Sequence, residues 1–354
     1  MSRVLLTGAT GFIGGHVAWS LVQSGYEVVA LVRPGKTMTW KHDSIEVRRG
    51  DIRERDSLRY ALADCDSVIH AAAMYSLWTA NPASLYEANV LGTRNVMEMA
   101  VDAGIERIVY TSTVGTTRFR SDRLADESDL ASPRTMSGHY KRSKFEAERM
   151  VRRMAAAGAP IVTVNPTAPV GPADVKPTPT GAVILDFLKG RLPAYIDTGL
   201  NYVDVTDVAD GHVLAMELGV PGQRYLLGNV DGNLTLLEML TRLSRITGLP
   251  APKVRIPLLA ARVMARVDNF IESTVLRREP RIPMEGVRMA HQMMWVDPSK
   301  AVRDLGMPQH PIDDTLAGAV RWFVANKYAP SPPSHQGTRA TISGWRRTRE
   351  ERVR

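Results

Sequence analysis

The chain of 354 residues contains one cysteine, Cys65, which excludes an internal disulfide framework and is typical of a protein from a reducing compartment. No uninterrupted apolar run approaches the roughly 18 residues that a membrane-spanning helix needs. The N-terminus runs directly into an apolar segment, residues 3–7, without a secretory leader. The eight histidines lack metal-ligand spacing, and no zinc-finger or RNP-type motif occurs. We therefore expect a soluble, cytoplasmic protein without a metal or a nucleic-acid partner.

Positive charge exceeds negative charge by eight, and half of this excess lies at the C-terminal end. Residues 331–354 contain six arginines against two glutamates, open with a Ser-Pro-Pro-Ser sequence and show no apolar periodicity. This composition predicts a disordered basic tail, either simply solvated or weakly attracted to an anionic membrane surface. The small excess on the other 330 residues is a weak argument for nucleic-acid binding.

Short segments rich in valine and isoleucine alternate with amphipathic segments through the first half of the chain. The predicted strands are residues 3–7, 26–32, 45–48, 67–70, 107–111 and 160–164. The predicted helices are residues 12–23, 57–62, 83–103 and 137–157. This alternation is typical of βαβ units, so we predict an α/β fold with a Rossmann-type, doubly wound parallel sheet.

The pattern changes after Asn165. Five prolines fall within residues 166–180, which predicts neither a helix interior nor a central strand, and irregular segments of this length are usually functional. Further helices are predicted around residues 181–190, 207–218, 234–247, 257–278 and 312–326. We therefore expect a nucleotide-binding domain over 1–165, a smaller C-terminal substrate lobe over 166–330 that interleaves with the sheet, and the tail over 331–354.

A glycine-rich loop follows the first predicted strand and opens the first predicted helix. Glycines at 8, 11 and 14 permit a tight turn and a close approach of the backbone to a pyrophosphate, while the helix N-terminus offers free N–H groups. The alternative is a glycine turn in an α/β domain that binds nothing. The loop in its strand–helix context favours dinucleotide binding. The residues expected to contact the cofactor here are Gly8, Thr10, Gly11, Phe12, Ile13 and Gly14.

The second predicted strand is followed by Arg33, with Lys36 close behind. Sites that prefer NAD usually have an acidic residue here to hold the ribose hydroxyls. A guanidinium group instead suits a 2′-phosphate, which predicts NADP(H) as the preferred cofactor and NAD(H) as the alternative. Arg33 could also stack on adenine or face solvent. Asp51, Ile52 and Ala71 follow the third and fourth strands and complete the expected cofactor contacts.

Tyr140 and Lys144 are four residues apart in a predicted helix and therefore share one face. A phenol has a pKa of about 10, and a neighbouring ammonium group lowers it, so such a pair can move protons near neutral pH. The alternative is a surface pair without chemistry. At the end of the fifth predicted strand, Ser112 or Thr113 could donate a hydrogen bond to a substrate oxygen or merely cap the strand. Only one of the two should face the binding crevice.

These residues resemble the extended short-chain dehydrogenase/reductase superfamily, with its glycine loop, strand-five hydroxyl and Tyr140/Lys144 pair. Segments 89–95 and 203–209 are also similar to its motifs. The resemblance implies that Thr113 is the catalytic hydroxyl, that Asn89 supports the proton relay, and that Asp207 is chiefly structural. It also implies that Asp51 accepts a hydrogen bond from the adenine amine and that Lys144 holds the nicotinamide ribose. Pairing through the helices at 83–103 and 137–157 would give the usual homodimer.

A closer resemblance, over residues 3–328, is to the bacterial hopanoid-associated sugar epimerases, which are also called dihydroflavonol 4-reductase-like. The segments that carry it are residues 138–148, 165–181, 186–207 and 285–290. Two features depart from that group: Thr113 stands where serine is usual, and the tail has no counterpart. The resemblance implies sugar epimerisation, with a link to hopanoid lipid metabolism.

Arg33 favours a different chemistry, because epimerases typically retain NAD whereas net reductions draw on NADPH. We therefore expect an NADP(H)-dependent oxidoreductase that transfers hydride between the nicotinamide and a carbonyl/alcohol pair on an apolar or sugar-bearing substrate. The alternatives are an NAD-dependent sugar epimerase and a non-catalytic regulator that senses NADP. The regulator is disfavoured by the presence of Tyr140 and Lys144.

Several residues predict a largely apolar substrate pocket. Tyr75, Leu77 and Trp78 follow the fourth strand, and Thr167, Val170 and Tyr195 come from the lobe. The aromatic residues could instead pack on the lobe. Residues 253–278 combine apolar and basic side chains, a pattern that fits either peripheral contact with an anionic membrane or a helix covering the lobe core.

Overall fold

The computed structural model describes residues 2–38, 40–76, 78–79, 81–270, 272, 280, 284–289 and 292–333. The strands are β1 Arg3–Thr7, β2 Glu27–Val32, β3 Ile45–Arg49, β4 Ser67–His70, β5 Arg107–Thr111, β6 Ile161–Pro166, β7 Ala168–Val170, β8 Ala194–Tyr195, β9 Gly199–Asp204, β10 Arg224–Leu227, β11 Asn233–Thr235, β12 Val254–Arg255 and β13 Met293–Met294. The helices are α1 Phe12–Gln23, α2 Arg55–Leu62, α3 Pro82–Tyr86, α4 Gly92–Asp102, α5 His139–Ala156, α6 Pro179–Leu188, α7 Val205–Leu218, α8 Leu236–Thr247, α9 Leu258–Asn269, α10 Met284–Met289, α11 Ser299–Leu305 and α12 Ile312–Ala325.

Seven parallel strands form the central sheet in the order β10-β6-β5-β4-β1-β2-β3. Side chains alternate across it: Val4 and Leu6 of β1 face α1 and α7, while Leu5 faces α2, α4 and α5. Both faces are therefore covered by helices, which explains why the strands are apolar throughout. The predicted α/β fold with a doubly wound parallel sheet is confirmed.

The smaller lobe has its own apolar core. Helices α6, α8 and α12 enclose it together with β7 and β9. Strand β9 pairs with β7, β11 and β13. The chain then returns to the main sheet, where β10 lies at the edge next to β6. The lobe therefore interleaves with the sheet, as predicted.

Two predicted elements differ from the structure. The helix predicted over 83–103 is divided into α3 and α4 by a π-helical turn, Glu87–Leu91. Residues 166–180, predicted to form neither a helix interior nor a central strand, contain short pieces of regular structure at both ends. Strand β6 includes Pro166 as its last residue, and α6 begins at Pro179, a first-turn position that needs no backbone N–H. Between them, β7 adds a short strand.

The C-terminal third differs more from the prediction. The helix expected over 257–278 is observed as α9, which ends at Asn269; residues 271 and 273–279 lie outside the described residues. Most of the predicted tail, residues 334–354, also lies outside them. Among the described helices, none is long and apolar enough to cross a membrane.

Candidate active site

The glycine loop lies directly against the end of β4. Gly8 has a φ of +84°, and a Cβ at this position would lie 2.6 Å from the backbone nitrogen of Ala72 and 2.7 Å from the carbonyl carbon of Ala71. Gly11 caps α1 without any side-chain hydrogen bond, so the helix N-terminus presents free N–H groups. Thr10 is exposed beside it, and Phe12 and Ile13 are half-buried at the first turn. Gly14 packs against the Gly8 carbonyl. These residues fit a bound pyrophosphate.

Three cationic residues meet where β2 and β3 end. Arg33 is exposed directly after β2, and its carbonyl oxygen accepts a hydrogen bond from the Lys36 backbone at 3.1 Å. The Arg49 guanidinium donates to the carbonyl oxygens of Lys36 at 2.6 Å and Arg33 at 3.4 Å. The adenosine end of the predicted cofactor site therefore carries a concentrated positive charge.

Asp51 is already engaged in this structure. Its carboxylate accepts hydrogen bonds from the Arg53 backbone at 3.0 Å and from the Arg53 guanidinium at 3.0 and 2.8 Å, which lowers the pKa of Asp51. Adenine would have to share this carboxylate with Arg53, and the expected adenine contact stays a prediction. Ile52 packs against the core beneath α2 and α4.

Tyr140, Thr113 and Tyr75 lie together above the end of β5. The Tyr140 hydroxyl lies beside the Thr113 side chain, and the Tyr75 ring contacts the Tyr140 ring edge-on with 4.4 Å between centroids. Thr113 also accepts a hydrogen bond from the Gly115 backbone at 3.1 Å. Burial raises the pKa of Tyr140 well above its ordinary value, so its phenol is protonated at neutral pH.

Ser112 points away from this group. It is buried, and its hydroxyl donates to the Glu148 carboxylate on α5. Glu148 in turn forms a buried ion pair with Arg224 of β10 at 2.8 Å. Of the two hydroxyls at the end of β5, Thr113 is therefore the one that faces Tyr140.

Lys144 lies on the same helix as Tyr140 and is almost completely buried. Its Nζ donates to the Thr111 carbonyl oxygen at 2.8 Å and lies 4.7 Å from the centroid of the Tyr110 ring. Burial lowers the pKa of Lys144 to about 8, with Glu148 acting in the opposite direction. In this arrangement burial dominates the pKa of Tyr140, and its lowering by Lys144 stays a prediction.

Asn89 is buried in the π-helical turn between α3 and α4. Its side-chain oxygen accepts from the Met74 backbone at 2.7 Å, and its Nδ2 donates to the Met74 carbonyl and to Ser143 Oγ, both at 3.0 Å. Ser143 precedes Lys144 on α5. Asn89 therefore joins the loop after β4 to the helix that carries Tyr140 and Lys144, and the expected part in a proton relay stays a prediction.

Glu285 of α10 is a site residue that the sequence analysis did not assign. Its carboxyl group lies against Gly138, two residues before Tyr140, and it accepts a hydrogen bond from the Lys141 backbone. Burial raises the pKa of Glu285 to about 7, although Lys141, Arg288 and Arg142 act against this. Its Oε1 is buried and has no hydrogen-bond partner among the described residues. Segment 285–290 supported the family resemblance, but no motif or spacing linked it to Tyr140.

The other predicted substrate residues are less closely grouped. Thr167 hydrogen-bonds with Asn201 at 3.1 Å within the lobe. Tyr195 lines a separate apolar cavity of about 440 Å³ near residues 250–253. Trp78 is half-buried in the loop after β4, and Leu77 lies outside the described residues. Among the predicted pocket residues that the structure describes, Tyr75 contacts Tyr140 through its ring. No group of three or more potential metal ligands occurs within the described part of the chain.

Comparisons with known proteins show which family the chain belongs to. Residues 4–228 match the NAD dependent epimerase/dehydratase family. A Synechocystis protein that carries the name of dihydroflavonol 4-reductase is 44% identical, over 91% of this chain and 95% of its own length. Sterol demethylase protein B of Methylococcus capsulatus is 33% identical, over 90% and 97%. The crystal structure of gox2253 is similar with a TM-score of 0.82 and 38% identity, covering 93% of this chain and 99% of its own. The chain therefore belongs to the NAD-dependent epimerase/dehydratase family and is an NAD(P)-dependent enzyme of the extended short-chain dehydrogenase/reductase type.

Proposed function

We propose that this enzyme is an NADP(H)-dependent oxidoreductase that reduces a carbonyl group, or oxidises the corresponding alcohol, on an apolar polycyclic or sugar-bearing substrate. The observation that carries the proposal is the cationic group of Arg33, Lys36 and Arg49 at the ends of β2 and β3. A 2′-phosphate would be held there by charge-assisted hydrogen bonds, whereas the free ribose hydroxyls of NAD would gain no acidic partner from Arg33.

The residues around Tyr140 support the chemistry. When bound, the nicotinamide supplies the hydride for reduction or accepts it in oxidation. Thr113 and Tyr140 hold the substrate oxygen between their hydroxyls, and Tyr140 delivers its proton to that oxygen as negative charge develops there. The raised pKa of Tyr140 keeps the phenol protonated at neutral pH, which suits carbonyl reduction. Lys144, with its amine adjacent to the end of β5, stabilises the phenolate that remains.

The substrate class rests on Tyr75 and on the relatives. The Tyr75 ring covers Tyr140 yet is 48% exposed, so it offers an apolar surface at the entrance to the site. The names of the two relatives, a dihydroflavonol reductase and a sterol demethylase protein, both refer to polycyclic molecules. These two observations support an apolar ring system next to the reacting carbonyl.

Nucleotide identity tests the proposal against its main alternative, an NAD-dependent sugar epimerase, which the family name favours. The full-length protein is purified and denatured, and the released nucleotide is identified; nucleotide-free protein is then titrated with NADPH and NADH. We expect exchangeable NADPH, bound at least tenfold more tightly than NADH. Arg33→Ala should remove most of this difference, whereas Arg59→Ala, which changes an exposed arginine on α2, should leave it intact. Tightly retained NAD with no effect of Arg33→Ala would overturn the proposal in favour of the epimerase.

A further inference from the structure

Helix α9 buries small side chains and exposes large apolar ones, whereas an ordinary amphipathic helix buries its large apolar side chains. Small residues face the protein: Ala261 and Ala265 are buried against α10. Large apolar residues face outward, with Leu259 73% exposed and Phe270, directly after the helix, 63% exposed. A helix that only covered the lobe core would bury its large apolar side chains instead. The core-covering interpretation of this segment therefore accounts for the two alanines and not for the outer face.

The exposed apolar residues form one continuous stripe. Leu259, Val263, Val267 and Phe270 follow one another at intervals of three or four positions, so they lie on the same side of the helix, with Met264 beside them. Val254 of the neighbouring strand β12 is also 61% exposed. Single exposed apolar residues are common, but a contiguous patch of this kind marks an interaction surface.

Basic side chains flank the stripe. Arg262 and Arg266 are exposed one turn apart on α9, and Lys253 and Arg255 are exposed on either side of Val254. Arg255 forms a surface ion pair with Asp197, while the other three add positive charge next to the apolar stripe. A helix with an apolar face bordered by arginines and lysines has the chemistry of an interfacial helix on an anionic membrane, because the apolar residues enter the acyl boundary while the cations contact headgroups.

We propose that α9 and β12 form a docking surface for an anionic lipid membrane. A second copy of this chain is the main competing occupant, but a two-fold interface along α9 would bring Arg262 and Arg266 close to their own symmetry mates. Charge complementarity therefore favours the lipid surface. The proposal does not depend on the substrate or the cofactor of the enzyme.

The location of α9 gives the docking surface a relation to the active site. The inner face of α9 packs on α10, which carries Glu285. The Glu285 carboxyl group lies against Gly138, and Gly138 precedes Tyr140 by two residues in the chain. Docking through the outer face would therefore hold the bilayer one helix layer away from the catalytic tyrosine.

Vesicle sedimentation of the full-length protein tests this proposal. The probes are vesicles of pure phosphatidylcholine and vesicles in which about a third of the lipid is phosphatidylglycerol. We expect binding to the anionic vesicles and at least a tenfold loss of binding for the double variant Leu259→Glu/Val263→Glu. Arg262→Gln/Arg266→Gln should weaken binding and reduce its dependence on salt. The matched control is Leu218→Glu/Val220→Glu, which adds the same two negative charges at two exposed apolar residues outside the stripe.

The variants' circular dichroism spectra and NADPH affinities show whether each remains folded. Equal binding by wild type and the α9 double variant, with loss of binding only when residues 334–354 are removed, would assign membrane binding to the basic tail and overturn the proposal. Self-association that Leu259→Glu/Val263→Glu abolishes, without any binding of wild type to vesicles, would identify a second copy as the occupant and would also overturn it.

Discussion

The carboxyl group of Glu285 occupies the space that any side chain at Gly138 would need. A Cβ built on Gly138 would lie 1.9 Å from both Cδ and Oε2 of Glu285, and the φ of Gly138 is +76°. Glycine at this position therefore satisfies two requirements at once: a left-handed backbone at the start of α5 and room for a buried carboxylate from α10. Residues nearly 150 positions apart are thereby fixed next to Tyr140.

Replacing this glycine should lower the stability of the protein. Gly138 combines its positive φ with an extended ψ of 162°, a region that only glycine adopts readily, so Gly138→Ala should cost about 1–3 kcal/mol for the backbone and about 1–3 kcal/mol more for displacing Glu285. Urea unfolding measures the loss. Gly104→Ala is the control for a positive φ alone, since Gly104 has a φ of +73° and open space around its Cβ position. Equal losses in the two variants would show that Glu285 moves away freely.

The stability of the protein should depend on the protonation of Glu285. Burial raises the pKa of Glu285 to about 7 from an ordinary value of 4.5, so the folded protein binds this proton more tightly than the unfolded chain does. The contribution of this group to stability therefore decreases as the pH rises from about 4.5 to about 7 and is constant above that.

Glu285→Gln keeps the shape of the protonated acid and removes this decrease. At pH 8 the variant should be more stable than wild type by about 2 kcal/mol, since water and the neighbouring cations offset part of the burial penalty, and the two should converge near pH 4.5. Unfolding free energies measured across this range test the prediction. The exposed control Glu106→Gln should follow the wild-type curve. Parallel curves for wild type and Glu285→Gln would contradict it.

Removing the phenol hydroxyl of Tyr140 should separate chemistry from nucleotide binding. Tyr140→Phe should lower kcat by at least a factor of 100 with the preferred carbonyl substrate, because the proton donor to the substrate oxygen is lost. Its affinity for the nucleotide, measured by titration, should stay within about twofold of wild type. Tyr60→Phe removes an exposed phenol hydroxyl on α2 and should change neither value. Near-normal turnover of Tyr140→Phe would exclude Tyr140 as the proton donor.

Breaking the buried ion pair behind the site should lower the unfolding free energy more than breaking a surface pair does. Arg224 and Glu148 are 5% and 4% exposed, and the Glu148 carboxylate also accepts hydrogen bonds from Ser112, Thr116 and Asn165. Arg224→Met leaves this carboxylate without its cation and should cost about 3–5 kcal/mol in unfolding free energy. Arg59→Ala breaks the exposed pair with Asp56 and should cost less than about 1 kcal/mol. A loss below 1 kcal/mol for Arg224→Met would show that water replaces the guanidinium.

The parts of the fold that depend on local patterns could be predicted from the sequence. The alternation of strands and helices, the glycine loop at Gly8–Gly14 and the spacing of Tyr140 and Lys144 are all local, and they identified the sheet and its carboxyl edge. Side-chain alternation left the choice between Ser112 and Thr113 open. The structure resolves this choice, because the Ser112 hydroxyl donates a hydrogen bond to Glu148 of α5.

Features that depend on distant residues could not be predicted in this way. Asn89 lies in a π-helical turn that helical periodicity does not distinguish from the α-helices on either side. Glu285 reaches Gly138 only through the packing of the lobe, and Tyr195 lies on β8, which pairs with β12. The position of Glu285 follows from a tertiary contact that the neighbouring sequence does not encode.

The place of β10 in the sheet has a consequence for the order in which the protein can fold. The chain leaves the sheet after β6, forms β9 and α7, and only then contributes residues 224–227 as the strand that covers β6. A ribosome releases these residues long after the glycine loop. During synthesis, the hydrogen-bonding edge of β6 therefore stays unpaired until residues 224–227 have emerged. A chaperone that covers this edge would prevent it from pairing with another nascent chain.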